Sequence, residues 1–226
     1  MVEIIEQKRS RGRPRVRSDD ETRSVVTEAA SRMFNDLGYA ATCVADIAQG
    51  AGVSTKTLYR LFPAKSDLFE SVCAGRIERF TLEASTGQQP SADIHTSLVH
   101  LLEVLGRLTL DLDTIAIYKL VVTEADRFPE VADAFYKRAI LGTSKVVEGW
   151  LQSRCRTGEI AIADISLAGG MLRGMMVFEP QRGVMLNQKK PPSLEEVRQR
   201  AELCAGIFLC GCMAKTRGSA EKEGRG

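Results

Sequence analysis

Residues 44–62, Val-Ala-Asp-Ile-Ala-Gln-Gly-Ala-Gly-Val-Ser-Thr-Lys-Thr-Leu-Tyr-Arg-Leu-Phe, constrain the fold more than any other segment of the chain. Ile47, Ala51 and Leu58 have the spacing of two short helices packed on each other, and Ala48 is small where a crossing helix needs room. Gly52 stands where the chain must reverse, a position that calls for positive φ. Val53 fills the corner and Ser54 is a good N-cap for the second helix. The outer face of that helix carries Thr55, Lys56, Thr57, Tyr59 and Arg60, all hydrogen-bond donors with no carboxylate among them. Such a face suits phosphate oxygens and the acceptor edges of bases, so the pair reads as a helix-turn-helix that presents its second helix to DNA.

The charge distribution agrees. The net charge is only +2, yet residues 1–17 hold six Lys/Arg against Glu3 and Glu6, so positive charge gathers at the end that holds the motif. Within this arm, Arg11-Gly12-Arg13-Pro14-Arg15 has the character of a minor-groove segment. Gly12 permits close backbone approach, Pro14 stiffens the strand, and the arginines suit a narrow A·T-rich groove. The segment resembles the core of an AT-hook; a flexible basic tail that raises non-specific affinity is the plainer alternative.

The rest of the chain reads as all-α. Residues 1–19 form a basic flexible arm, residues 20–80 the three-helix DNA-binding domain with its motif at about 43–62, residues 81–214 a helical regulatory and dimerisation domain, and residues 215–226 a flexible tail. A first helix is expected over Glu21–Leu37, stopped by Gly38, and the polar stretch 85–93 marks the seam between domains. Further helices are expected over Ile94–Leu112, Thr114–Ala125, Pro129–Arg156, Asp164–Phe178 (stopped by Pro180) and from the capping box Ser193/Glu196 to Met213. No apolar run is long enough for a membrane span and no export signal follows the basic start. The expected location is therefore the cytoplasm, in association with the nucleoid. Six cysteines then imply reduced thiols, with Cys210 and Cys212, the only close pair, as small buried groups on a helix and metal or redox use as the alternative. His95 and His100 do not share a helical face, no metal-ligand cluster, Gly-rich phosphate loop or His-paired nucleophile is evident, and neither enzyme nor cofactor chemistry is expected.

The segment from Leu37-Gly38-Tyr39 through Ala41-Thr42-Cys43-Val44-Ala45-Asp46-Ile47-Ala48 and Ala51-Gly52-Val53-Ser54 to Thr57-Leu58-Tyr59-Arg60-Leu61-Phe62-Pro63-Ala64-Lys65-Ser66-Asp67-Leu68-Phe69 resembles TetR-type (TetR/AcrR) transcriptional regulators. Glu124–Val131 with Ala134-Phe135-Tyr136 resembles the C-terminal region of one subgroup more loosely. The resemblance implies an all-helical homodimer that binds a palindromic operator and leaves it when a small molecule enters the C-terminal domain, most often as a repressor. It also implies that Thr42, Thr57, Tyr59 and Lys65 contact phosphates; from their own chemistry Thr55, Lys56 and Arg60 are the candidates to read base edges, with Ser54 also in the DNA-binding set and a plain solvated helix face as the alternative. Two helix caps depart from the family pattern: Cys43 stands where Ser or Thr is common, with Thr42 one residue earlier as an alternative cap, and Ala64 stands where Ser is common.

Farther along, Ala168, Gly169, Gly170 and Gly174, with Ala201, Ala205 and Gly206, allow close helix approach, so the last two helices are expected to form the dimer bundle. Packing within one subunit is the alternative. Ile117, Val121, Trp150, Met171, Met175 and Phe178 are candidates to line a cavity for an unidentified apolar or amphipathic effector, or else form plain core. An effector-independent architectural DNA-binding protein of the same fold is the competing function.

Overall fold

The computed structural model describes residues 17–86 and 93–212, and every regular element in them is helical. Helix α1 (Asp19–Ala41) opens on a capping box the sequence reading did not use: Glu21 N donates to Ser18 Oγ at 3.1 Å and Ser18 N donates to Glu21 Oε2 at 2.8 Å. Its regular path breaks at Gly38 (φ 78°), where the stop was expected. Helices α2 (Val44–Gly50), α3 (Thr55–Leu61) and α4 (Lys65–Thr86) follow, then α5 (Ile94–Thr109) and α6 (Leu112–Glu124). One continuous rod comprises α7 (Pro129–Phe135), a π-helical turn (Tyr136–Ile140) and α8 (Leu141–Arg156). Helices α9 (Ile165–Met185) and α10 (Leu194–Cys212) complete the fold, with the Ser193/Glu196 capping box in place at the start of α10.

Pro180 does not stop α9, contrary to expectation. A proline inside a helix leaves the carbonyl four residues back without its donor. Here that carbonyl is Met176 O, and Arg200 of α10 supplies the donor: Nε reaches Met176 O at 2.8 Å, and Nη2 reaches Met175 O at 2.7 Å. The helix runs on for another turn and ends at Asn187 (φ 57°), whose N–H donates to Val184 O while Gln188 N donates to Gly183 O.

Two cores share α4. Its first half (Leu68, Phe69, Val72, Cys73) packs with Val26, Ala30 and Phe34 of α1, Ile47 and Leu58 of the motif, and Ile117, Val121, Val131 and Phe135 of α6 and α7. Its second half (Phe80, Ala84) joins Leu98, Leu102 and Leu105 of α5, Trp150 and Leu151 of α8, and Leu172, Met176, Ala201 and Ala205 of α9 and α10. The molecule therefore does not divide cleanly near residues 85–93. Two short helices on α1 present too little apolar surface for a core of their own, and α6 and α7 complete it.

Candidate nucleic-acid interface and effector cavity

The turn between α2 and α3 follows from its residues. Gly52 adopts φ 65°, Val53 N donates to Ala48 O at 2.9 Å, and Gly52 N donates to Gln49 O at 3.0 Å, which closes the end of α2 as a Schellman motif. Ser54 caps α3 by accepting from Thr57 N at 3.0 Å, and its hydroxyl also pairs with Thr57 Oγ1 at 2.8 Å. Leu58 and Leu61 turn inward, whereas Thr55, Lys56, Tyr59 and Arg60 are exposed and Thr57 is half-buried.

Contacts from α1 fix the orientation of α3. Arg23 Nη1 donates to Leu61 O at 3.0 Å and its guanidinium lies over the Phe62 ring, 5.1 Å from the centroid. Arg60 makes a two-pronged ion pair with Asp19. Lys65, at the start of α4, holds its ammonium 4.5 Å from the Tyr39 ring centroid, where burial pulls its pKa below the ordinary lysine value. The Tyr39 hydroxyl beneath it is pushed up to about 12, chiefly by its own burial.

Thr42 differs from the rest of the expected phosphate set. It is buried, and its hydroxyl donates to Gly38 O at 2.6 Å and Met33 O at 3.1 Å, so it ties off the frayed carbonyls at the end of α1 instead of facing outward. The two unusual caps behave differently from each other. Cys43 makes no side-chain cap on α2, whereas the α4 start is rescued by Asp67 Oδ2, which accepts from Ala64 N at 2.8 Å. Arg11, Arg13 and Arg15 lie outside the described residues.

A cavity of about 220 Å³ lies where the two cores meet, walled by α4, α5, α6, α9 and the α7–α8 rod. Of the six side chains expected there, Ile117 and Phe178 line it. Val121 is packed into the N-terminal core. Trp150 is core too, because its indole Nε1 must find a buried acceptor and does so at Ser97 Oγ, 2.9 Å away. Met175 packs against the second core, and Met171 is exposed and does not line the cavity. Missed from the sequence were Cys73, Arg76, Tyr118, Phe135, Arg173 and Gln181, all of which line the cavity. A signal was present: Arg173 is the first charge in α9 after eight uncharged residues, and Arg76 interrupts the apolar face between Cys73 and Ile77. The Cys73 thiol, buried in this wall, is pushed up to about 12 by desolvation.

The π turn contributes Ala139 and Ile140 to the same wall. Leu141 N reaches back five residues to Tyr136 O, and the hydroxyls of Thr143 and Ser144 take up Ala139 O and Ile140 O.

The outer flank of α9 exposes Leu167, Met171 and Phe178 one or two turns apart, and α10 exposes Leu203 and Ile207. The small residues of these helices serve two ends. Ala201 and Ala205 face inward and Gly169 lies against Val147, Glu148 and Leu151 of α8, whereas a side chain at Gly174 or Gly206 would meet nothing within 4 Å. Cys210 is exposed and Cys212 half-buried, so these thiols are not both core groups as expected. Among the described residues no His/Cys/Asp/Glu group could hold a metal ion, and no helix is long and apolar enough to cross a membrane.

Comparison with known proteins agrees with this geometry. Residues 26–72 match the model of bacterial regulatory proteins of the tetR family, and residues 96–211 match the C-terminal domain of AefR-like transcriptional repressors. The transcriptional repressor ComR of Escherichia coli is 38% identical over 73 residues, 32% of this chain and 33% of its own length. The regulator TtgR of Pseudomonas putida is 26% identical over 171 residues, 70% of this chain and 81% of its own length. A TetR-family protein from Mesorhizobium loti shares the fold with a TM-score of 0.76 at 22% identity, over 88% of this chain and all of that one. The chain belongs to the TetR family of bacterial transcriptional regulators, with an AefR-like C-terminal domain.

Proposed function

We propose that the protein is a homodimeric repressor that grips a palindromic operator through α3 and lets go when a small molecule fills the cavity. Thr55, Lys56 and Arg60 read base edges, with Ser54, Thr57, Tyr59 and Lys65 on flanking phosphates and the arm residues Arg11, Arg13 and Arg15 in an adjacent minor groove. The dimer forms through the exposed apolar flanks of α9 and α10, which set the separation of the two α3 helices.

One observation carries the effector part of this reading. Cys73, Ile117 and Phe135 line the cavity and also belong to the core that seats α1 and the motif. A ligand that displaces these side chains shifts the seat of α3, so it favours a dimer whose reading helices no longer match the duplex.

Selection of bound duplexes from a random pool with the purified protein tests the proposal. Enrichment of one inverted repeat is the expected result. Enrichment of unrelated A·T-rich sequences without symmetry would instead identify an architectural DNA-binding protein and overturn it.

A further inference from the structure

Arg76 and Arg173 bring two guanidinium groups to a cavity whose lining contains no Asp or Glu. Their surroundings differ. Arg76 donates through Nη1 to Thr114 Oγ1 at 2.9 Å and faces Asp111 at 3.4 Å and Asp113 at 3.7 Å, so its charge is compensated. Arg173 forms no hydrogen bond or ion pair with any described residue, although it is partly buried. The Nε atoms of both arginines are buried without a hydrogen-bond partner. A buried donor that lacks an acceptor is costly, and a guanidinium against an apolar wall binds an anion more strongly than one in water.

Most of the remaining wall is apolar or aromatic: Ile117, Phe135, Val177 and Phe178 line the space, with the Tyr118 ring tilted by 34° against Phe135 at 5.6 Å between centroids, and Thr109, Thr114, Thr143 and Gln181 add neutral polar groups. One uncompensated cation beside an apolar space fits one negative charge on a hydrophobic body. A polyanion such as a nucleotide ester would need several such cations.

We propose that the cavity binds a monoanionic organic acid with an apolar body, its carboxylate on Arg173 with Arg76 Nε as a further donor, and its rings or chain against Ile117, Phe135 and Phe178. This inference rests on the cavity being the effector site and adds the chemical class of the effector.

The test is calorimetric titration of the full chain with three matched pairs: octanoate and octanamide, 4-phenylbutyrate and 4-phenylbutyramide, 2-naphthoate and 2-naphthamide. In at least one pair the acid should bind about tenfold or more tighter than its amide, as a charge-assisted hydrogen bond in a largely apolar site provides. Arg173→Met should erase that preference while leaving the amide's affinity within about twofold, and Arg173→Lys should restore part of it. Arg173→Gln provides a second neutral variant if Met alters the melting temperature. Equal binding of acid and amide in every pair that binds would overturn the anion assignment and leave the effector site standing. A preference that survives in Arg173→Met would overturn it as well. If no member of any pair binds, the effector-site reading falls together with this one.

Discussion

Arg60, on the exposed side of α3, is held by Asp19 of α1 through two hydrogen bonds, Nη1 to Oδ2 at 2.7 Å and Nη2 to Oδ1 at 2.6 Å. The pair spans 41 residues of sequence and joins the start of α1 to the surface proposed to face the duplex. Arg60 lowers the Asp19 pKa from the ordinary carboxylate value, first through its hydrogen bonds, and Asp19 raises that of Arg60. A depressed carboxyl lends its stabilisation above its unfolded pKa and loses it only as pH falls through the lower folded value, so both partners stay charged across neutral pH. Asp19→Asn removes a negative charge next to the phosphates and frees the guanidinium. Non-specific affinity should rise several-fold, and the slope of log affinity against log salt should steepen by about one per protomer. Anisotropy titrations at several salt concentrations check this; an unchanged slope would show that Asp19 has no part in tuning Arg60.

The bond network of Arg200 predicts a non-additive pair. Arg200→Ala leaves Met176 O without a donor, because Pro180 has no N–H to give it, and should cost about 1.5–3 kcal/mol of stability. In a Pro180→Ala background the regular helical bond is restored, and the same substitution should cost clearly less. Chemical denaturation of the four proteins of the cycle measures the difference.

Trp150 and Phe178 should separate stability from sensing. Trp150→Phe removes the bond to Ser97 and should destabilise the fold by about 1–2 kcal/mol without moving the ligand concentration that releases DNA. Phe178→Ala, at an exposed residue that lines the cavity and also lies on the outer flank of α9, should leave subunit stability within about 0.5 kcal/mol and raise the ligand concentration that releases DNA, measured at protein concentrations where sedimentation shows the dimer intact.

Leu203→Glu with Ile207→Glu places charges on the exposed apolar flank of α10, where the folded subunit loses no internal contact of consequence. Sedimentation should show a monomer, and operator affinity should fall by about 100-fold or more as the second half-site is lost. A dimer of unchanged strength would place the interface elsewhere.

The helix-turn-helix was legible because its rules are local: a glycine at positive φ, a serine cap and an apolar pair at helical spacing each act within a few residues. The length of the Pro129–Arg156 rod was legible for the same reason, although its π turn was not, since the sequence there keeps helical periodicity. What escaped was non-local. Whether Trp150 faces a cavity or a core depends on Ser97, 53 residues away, and whether Pro180 ends a helix depends on Arg200 in the next one. Thr42 was misjudged because one hydroxyl suits a phosphate and a helix-end carbonyl equally well.

The cavity wall has two kinds of residue. Arg173, Val177, Phe178 and Gln181 of α9 line the cavity without belonging to the motif's core, whereas Cys73, Ile117 and Phe135 are shared with the motif's own seat. Under the proposed function, substitutions in the first group change which molecule is sensed while the transmission stays intact. Substitutions in the second alter the gain of the response whatever is sensed. A designer who wants a new inducer for this scaffold should therefore diversify α9 and leave α6 and α7 untouched.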